Sequence, residues 1–177
     1  MEKIFWIDQD KCRGCRTCEM ACSFFKHKAC NPSRSSIRSD RWEDPSFLGK
    51  TLTRVCQQCT PPSCEAICPV KAISIDEKTG AMLIDYNICI GQEGRCGLCI
   101  HECPFGSIQR DPETGMPFVC DLCGGAPKCG EWCPANAIQY MPTTWSNLMK
   151  KRELSAALLS LVKEATKFNM TKYNMKE

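Results

Sequence analysis

The sequence predicts an α+β fold of short strands and short helices wound around dense cysteine motifs, and three observations predict it. The chain carries 17 Cys in 177 residues, far above the usage of an ordinary globular domain. All but one of them fall into four groups, and an apolar segment of strand character follows each of the last three. Beyond Tyr140 the cysteines stop, and one long stretch takes helical spacing instead.

The first group is Cys12, Cys15, Cys18 and Cys22. Thiols this crowded cannot pair with one another inside the segment. Three of them can close on one face of a cubane iron–sulfur cluster while the fourth reaches a neighbouring one. The pattern returns as Cys56, Cys59, Cys64 and Cys68, then as Cys89, Cys96, Cys99 and Cys103, and finally as Cys120, Cys123, Cys129 and Cys133. Pro69, Pro104 and Pro134 follow the last Cys of the three later groups, and Pro turns a chain away once a remote ligand has been delivered. Structural zinc sites join two Cys-x2-Cys pairs across a longer loop. Groups of three plus one fit four [4Fe-4S] clusters instead.

Disulfides are the competing use of cysteine. The count is odd, and Met1 to Asp8 has neither a cationic opening nor a long apolar run, so no secretory signal is expected. The expected location is the cytoplasm. Cys30 stands outside every group and reads as a free thiol, with a ligand role as the alternative. His27 and His101 are either ordinary packed or solvated side chains or tune a cluster; His101 lies between Cys99 and Cys103. Arg13, Arg16, Arg95 and Lys128 are interleaved with the ligands. They are either solvated loop charges or cations that favour the reduced state of a nearby cluster.

The elements follow in order. Lys3 to Asp8 reads as a strand, with Ile4, Phe5, Trp6 and Ile7 all apolar, and Glu19 to Lys28 as a short helix carrying Cys22. Asn31 to Lys50 is polar and aperiodic and reads as an irregular, largely exposed loop. Its Trp42, Phe47 and Leu48 either pack over a cluster or belong to a docking surface. After each Cys-Pro a tight turn leads into a strand whose Ile73, Ile108 or Ile138 packs inward against a cluster. The segments 76–80 and 111–115 are turn sequences ending in Gly, so the returning strands are 81–85 and 116–119. Residues 144–167 suit an amphipathic helix, with Leu148, Leu154, Leu158, Leu161, Val162 and Ala165 near helical spacing. That helix either covers its own domain or docks a partner, and the tail from Asn169 is a polar end prone to fraying.

The formal charge of +3 would fall to roughly −5 with four oxidised clusters bound, so the basic pI is no argument for nucleic acid. No run approaches the ~18 apolar residues of a membrane span. The sequence shows no Ser–His–Asp order, no Gly-rich phosphate loop of the nucleotide-binding type and no paired carboxylates beyond ordinary surface density, so no catalytic site of its own is expected.

Over roughly residues 3 to 141 the four-motif series with three Cys-Pro endings resembles the four-cluster, ferredoxin-like electron-transfer (beta) subunits of molybdenum and tungsten oxidoreductases, the dimethyl sulfoxide reductase iron–sulfur subunit type. Relatives of that type also serve some hydrogenases and carbon monoxide dehydrogenases. The resemblance implies two bacterial-ferredoxin-like 2[4Fe-4S] domains, one inserted in the other, with a cluster-dominated core and a C-terminal helix. The outer domain would be 1–50 with 116–141, the inserted one 51–115, and the helical extension 142–177.

It further implies that remote ligands are exchanged in pairs. Cys56, Cys59 and Cys64 would share a cluster with Cys103, and Cys89, Cys96 and Cys99 with Cys68. Cys12, Cys15 and Cys18 would share one with Cys133, and Cys120, Cys123 and Cys129 with Cys22. The third motif departs from the family, because six residues separate Cys89 from Cys96 where two are usual. Cys89 is therefore the weakest ligand position: its glycines at 91, 94 and 97 would let the longer loop wrap a cluster, and a defective site would leave three clusters.

The implied function is electron transfer to or from a larger molybdenum- or tungsten-pterin catalytic subunit and an external donor or acceptor protein. With no membrane span, the chain looks more like subunits of soluble tungsten aldehyde oxidoreductases or tungsten benzoyl-CoA reductase. The alternatives are a free-standing soluble polyferredoxin, or the electron-transfer subunit of a hydrogenase or carbon monoxide dehydrogenase.

Overall fold

A computed structural model describes residues 3–41, 51–92 and 95–172. Its strands pair two by two. β1 (Lys3–Ile7) runs antiparallel to β8 (Ile138–Pro142), so the segment before the first motif closes on the segment after the last, with Phe5 opposite Tyr140. Their rings meet with centroids 6.5 Å apart. All four apolar residues of β1 from Ile4 to Ile7 are buried. The imperfect alternation has its reason here: α5 (Trp145–Lys172) lies across the strand, so both of its faces are covered.

α1 (Thr17–His27) carries Cys18 and Cys22 of the first motif and ends where Lys28 takes a left-handed conformation and donates its N–H to Phe24 O at 2.8 Å. The helices within the later motifs are far shorter: α2 (Ser63–Ala66), α3 (Leu98–Glu102) and α4 (Lys128–Glu131). Pro69, Pro104 and Pro134 bar them from continuing. The first motif has Ser23 where the others have Pro, and its helix runs on.

The three Cys-Pro turns share one geometry. Lys71, Gly106 and Asn136, each three residues past the last Cys, have φ of +52°, +56° and +48°. Each donates its N–H to the carbonyl of Cys68, Cys103 or Cys133 at 3.0–3.2 Å. The two predicted hairpins form as β4 (Ile73–Ile75) with β5 (Met82–Ile84), and β6 (Gln109–Arg110) with β7 (Pro117–Phe118). Gly80 and Gly115 sit at φ +72° and +71° and close on Asp76 O and Asp111 O.

The expectation of an irregular exposed loop over Asn31 to Lys50 is corrected. Its described part holds a 3-10 turn (Pro32–Arg34) and β2 (Arg38–Arg41), which pairs with β3 (Thr51–Arg54). Ser35, Ser36, Ile37 and Ser39 are buried. The segment reads as loop because its buried residues are mostly hydroxyls, and those hydroxyls find partners: Ser35 Oγ donates to Ile37 O at 2.7 Å, and Thr53 Oγ1 to Ser39 Oγ at 3.1 Å. Trp42, Phe47 and Leu48 lie outside the described residues.

α5 runs to Lys172, beyond the expected Lys167. Only Leu158 of the predicted stripe is fully buried, while Leu148 is exposed; the side chain of Ala165 lies outside the described set. Among the described residues, no helix is long and apolar enough to cross a membrane. The core threads thiols through hydrocarbon: Cys18, Cys22, Cys56, Cys64, Cys99, Cys120 and Cys129 are buried with Phe5, Ile37, Val55, Met82 and Leu122.

Candidate metal centres

Two groups of four motif cysteines each line a hollow, three from one motif and one from another. Cys12, Cys15, Cys18 and Cys133 line one hollow together with Arg13, Arg16 and Ile138. Cys89, Cys96, Cys99 and Cys68 line a second with Ile73, Ile84 and Pro117. The walls of this second hollow are almost wholly apolar. Negative charge at Cys103 bears on Cys56, Cys59 and Cys64. Negative charge at Cys22 likewise bears on Cys120, Cys123 and Cys129.

Backbone donors face the remote cysteines. Ala72, Ser107 and Ala137, the fourth residue past Cys68, Cys103 and Cys133, donate N–H to those sulfurs at 3.2, 3.3 and 3.3 Å. The left-handed residue just before each donor aims the amide back at the thiol. Cys22 sits inside α1, where the following amides are spent on the helix. Its donor comes from 14 residues on, as Ser36 N at 3.4 Å. Sequence reasoning missed Ser36, since no local spacing links it to Cys22.

Around the first hollow, Cys12 Sγ lies 3.0 Å from Thr53 Oγ1, and Thr17 Oγ1 donates to Cys15 Sγ at 3.4 Å. That hydrogen bond holds the Cys15 thiol below its ordinary value. A side chain at Gly14, where φ is +63°, would meet Thr51 Oγ1 at 2.6 Å, so only glycine brings the ligand loop this close to β3.

Burial dominates the deeper thiols. It pushes Cys18 up to about 12, aided by Glu19, and Cys120 up to about 12. Cys99 rises to about 11 through burial and then Cys89. Cys56, Cys59, Cys64, Cys123 and Cys129 are also raised, first by burial. Iron takes the thiolate, so these sites must release protons as metal enters.

Cations lie beside the sets. Arg16 donates Nε to Ser39 O at 3.2 Å and faces the buried Glu19 carboxylate at 3.6 Å. Lys26 pairs with Asp121 at 2.8 Å, next to Cys120 and Cys22. Lys151 of α5 comes near Cys59 and Cys56, and burial holds its ammonium below the ordinary value. One turn on, Ser155 Oγ docks on Gln57 Oε1 at 2.9 Å. Lys26 and Lys151 were missed because they lie outside the motifs.

Of the predicted cations, Lys128 turns to Glu131 at 2.9 Å and to the Phe25 ring, and Arg95 N bonds Gln92 O at 3.0 Å. Cys30 is exposed on the loop after α1. His101 is exposed on α3, and His27 faces an open cleft with Tyr86 and Asp111.

Among the described residues, no three His, Cys, Asp or Glu side chains close around a single ion. Four thiols spread about a hollow, with amides directed at sulfur, suit a multi-iron cluster.

Chemistry and fold thus describe an iron–sulfur protein of ferredoxin-like units. A 4Fe-4S dicluster domain matches residues 49–151, and a 4Fe-4S binding domain residues 3–24. The chain belongs to this 4Fe-4S dicluster family, the ferredoxin-like electron-transfer subunits of molybdenum and tungsten oxidoreductases. It is 41% identical over 136 residues to the polyferredoxin-like subunit of aliphatic sulfonate oxidoreductase from Pyrococcus furiosus, covering 75% of this chain and 73% of that one. It is 31% identical over 172 residues to a subunit of the anaerobic dimethyl sulfoxide reductase of Escherichia coli, covering 89% of this chain and 80% of that subunit. A component of the benzoyl coenzyme A reductase BamBC complex with benzoyl-CoA is 27% identical over 93% of this chain and 96% of its own length, with a TM-score of 0.46.

Proposed function

We propose that the protein relays electrons through four [4Fe-4S] clusters to or from a larger molybdenum- or tungsten-pterin catalytic subunit. What supports this reading is the grouping about two hollows of Cys12, Cys15 and Cys18 with Cys133, and of Cys89, Cys96 and Cys99 with Cys68, each completed by a cysteine from another motif. The ligands are Cys12, Cys15, Cys18 and Cys133; Cys22, Cys120, Cys123 and Cys129; Cys56, Cys59, Cys64 and Cys103; and Cys68, Cys89, Cys96 and Cys99. When bound, such clusters pass single electrons between neighbours.

The chain's own part is to fix their order. Cys18 bears electrostatically on Cys129, Cys120 on Cys56, and Cys64 on Cys99, which supports a single file through the sets in the order just given. Gln58 joins the middle pair. It donates Nε2 to Cys120 O at 3.0 Å and accepts Met82 N at 2.7 Å. An outer unit, 1–50 with 116–141, would enclose an inserted unit, 51–115, followed by an extension, 142–177; β3 pairs back onto β2 and α5 packs on β1. The names of the sulfonate and dimethyl sulfoxide relatives support a catalytic partner.

Anaerobic purification from the native host tests the reading. About sixteen irons with matching sulfide and copurification with a larger pterin-containing chain are expected. Migration alone near 19.9 kDa would replace the subunit reading with a free carrier, and a colourless zinc protein would end both.

A further inference from the structure

The third motif is the one that breaks the spacing of the series, yet Cys89 reaches the same hollow as Cys68, Cys96 and Cys99. We propose that Arg110 is the positioning residue that makes this possible. Its Nη1 donates to Gly91 O at 3.2 Å and its Nη2 to Cys96 O at 3.0 Å. These two carbonyls stand on either side of the inserted residues. The same guanidinium is anchored in its own hairpin, where Nη1 donates to Gly115 O at 2.6 Å. One planar fork therefore ties Gly91 and Cys96, on the two sides of the insertion, to the turn of its own hairpin.

The packing shows how closely the parts fit. A Cβ on Gly97 would stand 2.7 Å from Arg110 Nη2, and one on Gly91 would stand 2.5 Å from Pro117 Cδ. Pro117 is the residue opposite Arg110 in the β6–β7 pair and itself lines the hollow. At its other end the loop is fixed by Cys89 N on Asp85 O at 3.1 Å. The first hairpin supplies the control. Its residue before the turn Asp is Ile75 where the second hairpin has Arg110, and the motif preceding it keeps the short Cys56-x2-Cys59 spacing, with no loop to hold. Lysine should not serve in place of Arg110, since all three of its N–H groups leave one nitrogen, whereas the guanidinium reaches the three carbonyls from two nitrogens held in one plane.

This inference rests on the four-cluster reading, and the test separates the two. Iron and sulfide per chain, and the electron paramagnetic resonance spectrum of the reduced full chain, are measured for the native protein, Arg110→Gln, Arg110→Lys, Cys89→Ser and the Arg110→Gln/Cys89→Ser double variant. The native protein should hold about sixteen irons, and each variant about twelve, with the same single cluster signal altered or lost. The double variant should lose no more than either single one, because both act on one site. Arg110→Gln with native iron and an unchanged spectrum overturns the proposal, as does full rescue by lysine. A native protein with about twelve irons that Cys89→Ser leaves unchanged overturns it too. A native protein without iron overturns the cluster reading itself. If Arg110→Gln does not accumulate, Gly97→Ala displaces the fork by a methyl group; loss of the same cluster supports the proposal, and all four clusters intact overturn it.

Discussion

The first motif and the three that follow solve the same problem differently. Cys68, Cys103 and Cys133 each end a short helix at a proline, and a left-handed residue then swings the fourth amide onto the sulfur. Cys22 lies inside an 11-residue helix, and Ser36 brings its amide from a separate segment. A local turn can be encoded in five consecutive residues. The Cys22 solution needs a second segment held in place, and Arg34 holds it by bridging to Asp111 at 2.8 Å and Glu113 at 2.6 Å.

The largest expected effect erases the difference between the two solutions. With buried thiols distributed through the core, removing iron by oxidation with chelator should abolish cooperative thermal unfolding, read by circular dichroism. Next is an exchange of motifs. Ser23→Pro gives the first motif the later pattern, but it places Pro inside α1, where Ser23 is buried and bonded to Glu19 O. It should cost about 3 kcal/mol or more in denaturant unfolding. Pro134→Ala, the reverse exchange, should cost under about 1 kcal/mol, and equal losses would show that proline has no special place in the turn.

Arg34→Ala should lower the unfolding midpoint less than Ser23→Pro does and should perturb only the cluster set containing Cys22. Burial tends to raise the Asp111 carboxyl, but the Glu113 amide and Arg34 outweigh it and hold the group below its ordinary 3.8. A depressed carboxyl contributes stability above its unfolded value and loses it as pH falls through the folded one. The native protein should therefore lose stability on acidification below about pH 4, and Arg34→Ala should flatten that loss.

Gly106→Ala places a methyl at φ +56° and should cost about 1 kcal/mol, whereas Lys71→Gly, at φ +52°, should be neutral or gain a few tenths to about 1 kcal/mol. Identical responses at both positions would mean that the three turns are not equivalent in energy. The smallest effect is kinetic. In the iron-free chain the thiols are no longer held in a packed core, so cluster reconstitution should quicken as pH rises from 7 towards the ordinary thiol range of about 8.5, with proton release measured in weak buffer.

Much of the molecule is legible in the sequence because its rules are local. Cysteine spacing, the Cys-Pro turns, the glycines at 80 and 115 and the α5 segment each announce themselves within a few residues. The loop assigned to Asn31 to Lys50 fails because burial there falls on Ser35, Ser36 and Ser39, whose polarity mimics solvent exposure until their hydrogen-bond partners are known. Ser36, Lys26, Lys151 and Arg110 escape notice because each acts on a motif distant in sequence or outside its own.

The sequence by itself therefore determined the kind of site, the number of thiols available to it and the turns that present them, since short-range sterics and spacing decide those. Only the tertiary structure decided the closure of β1 on β8, the amide that Ser36 lends to Cys22 and the guanidinium that bonds on both sides of the third motif's insertion. Those depend on segments separated by many residues meeting in space, and no local pattern records where a chain will return.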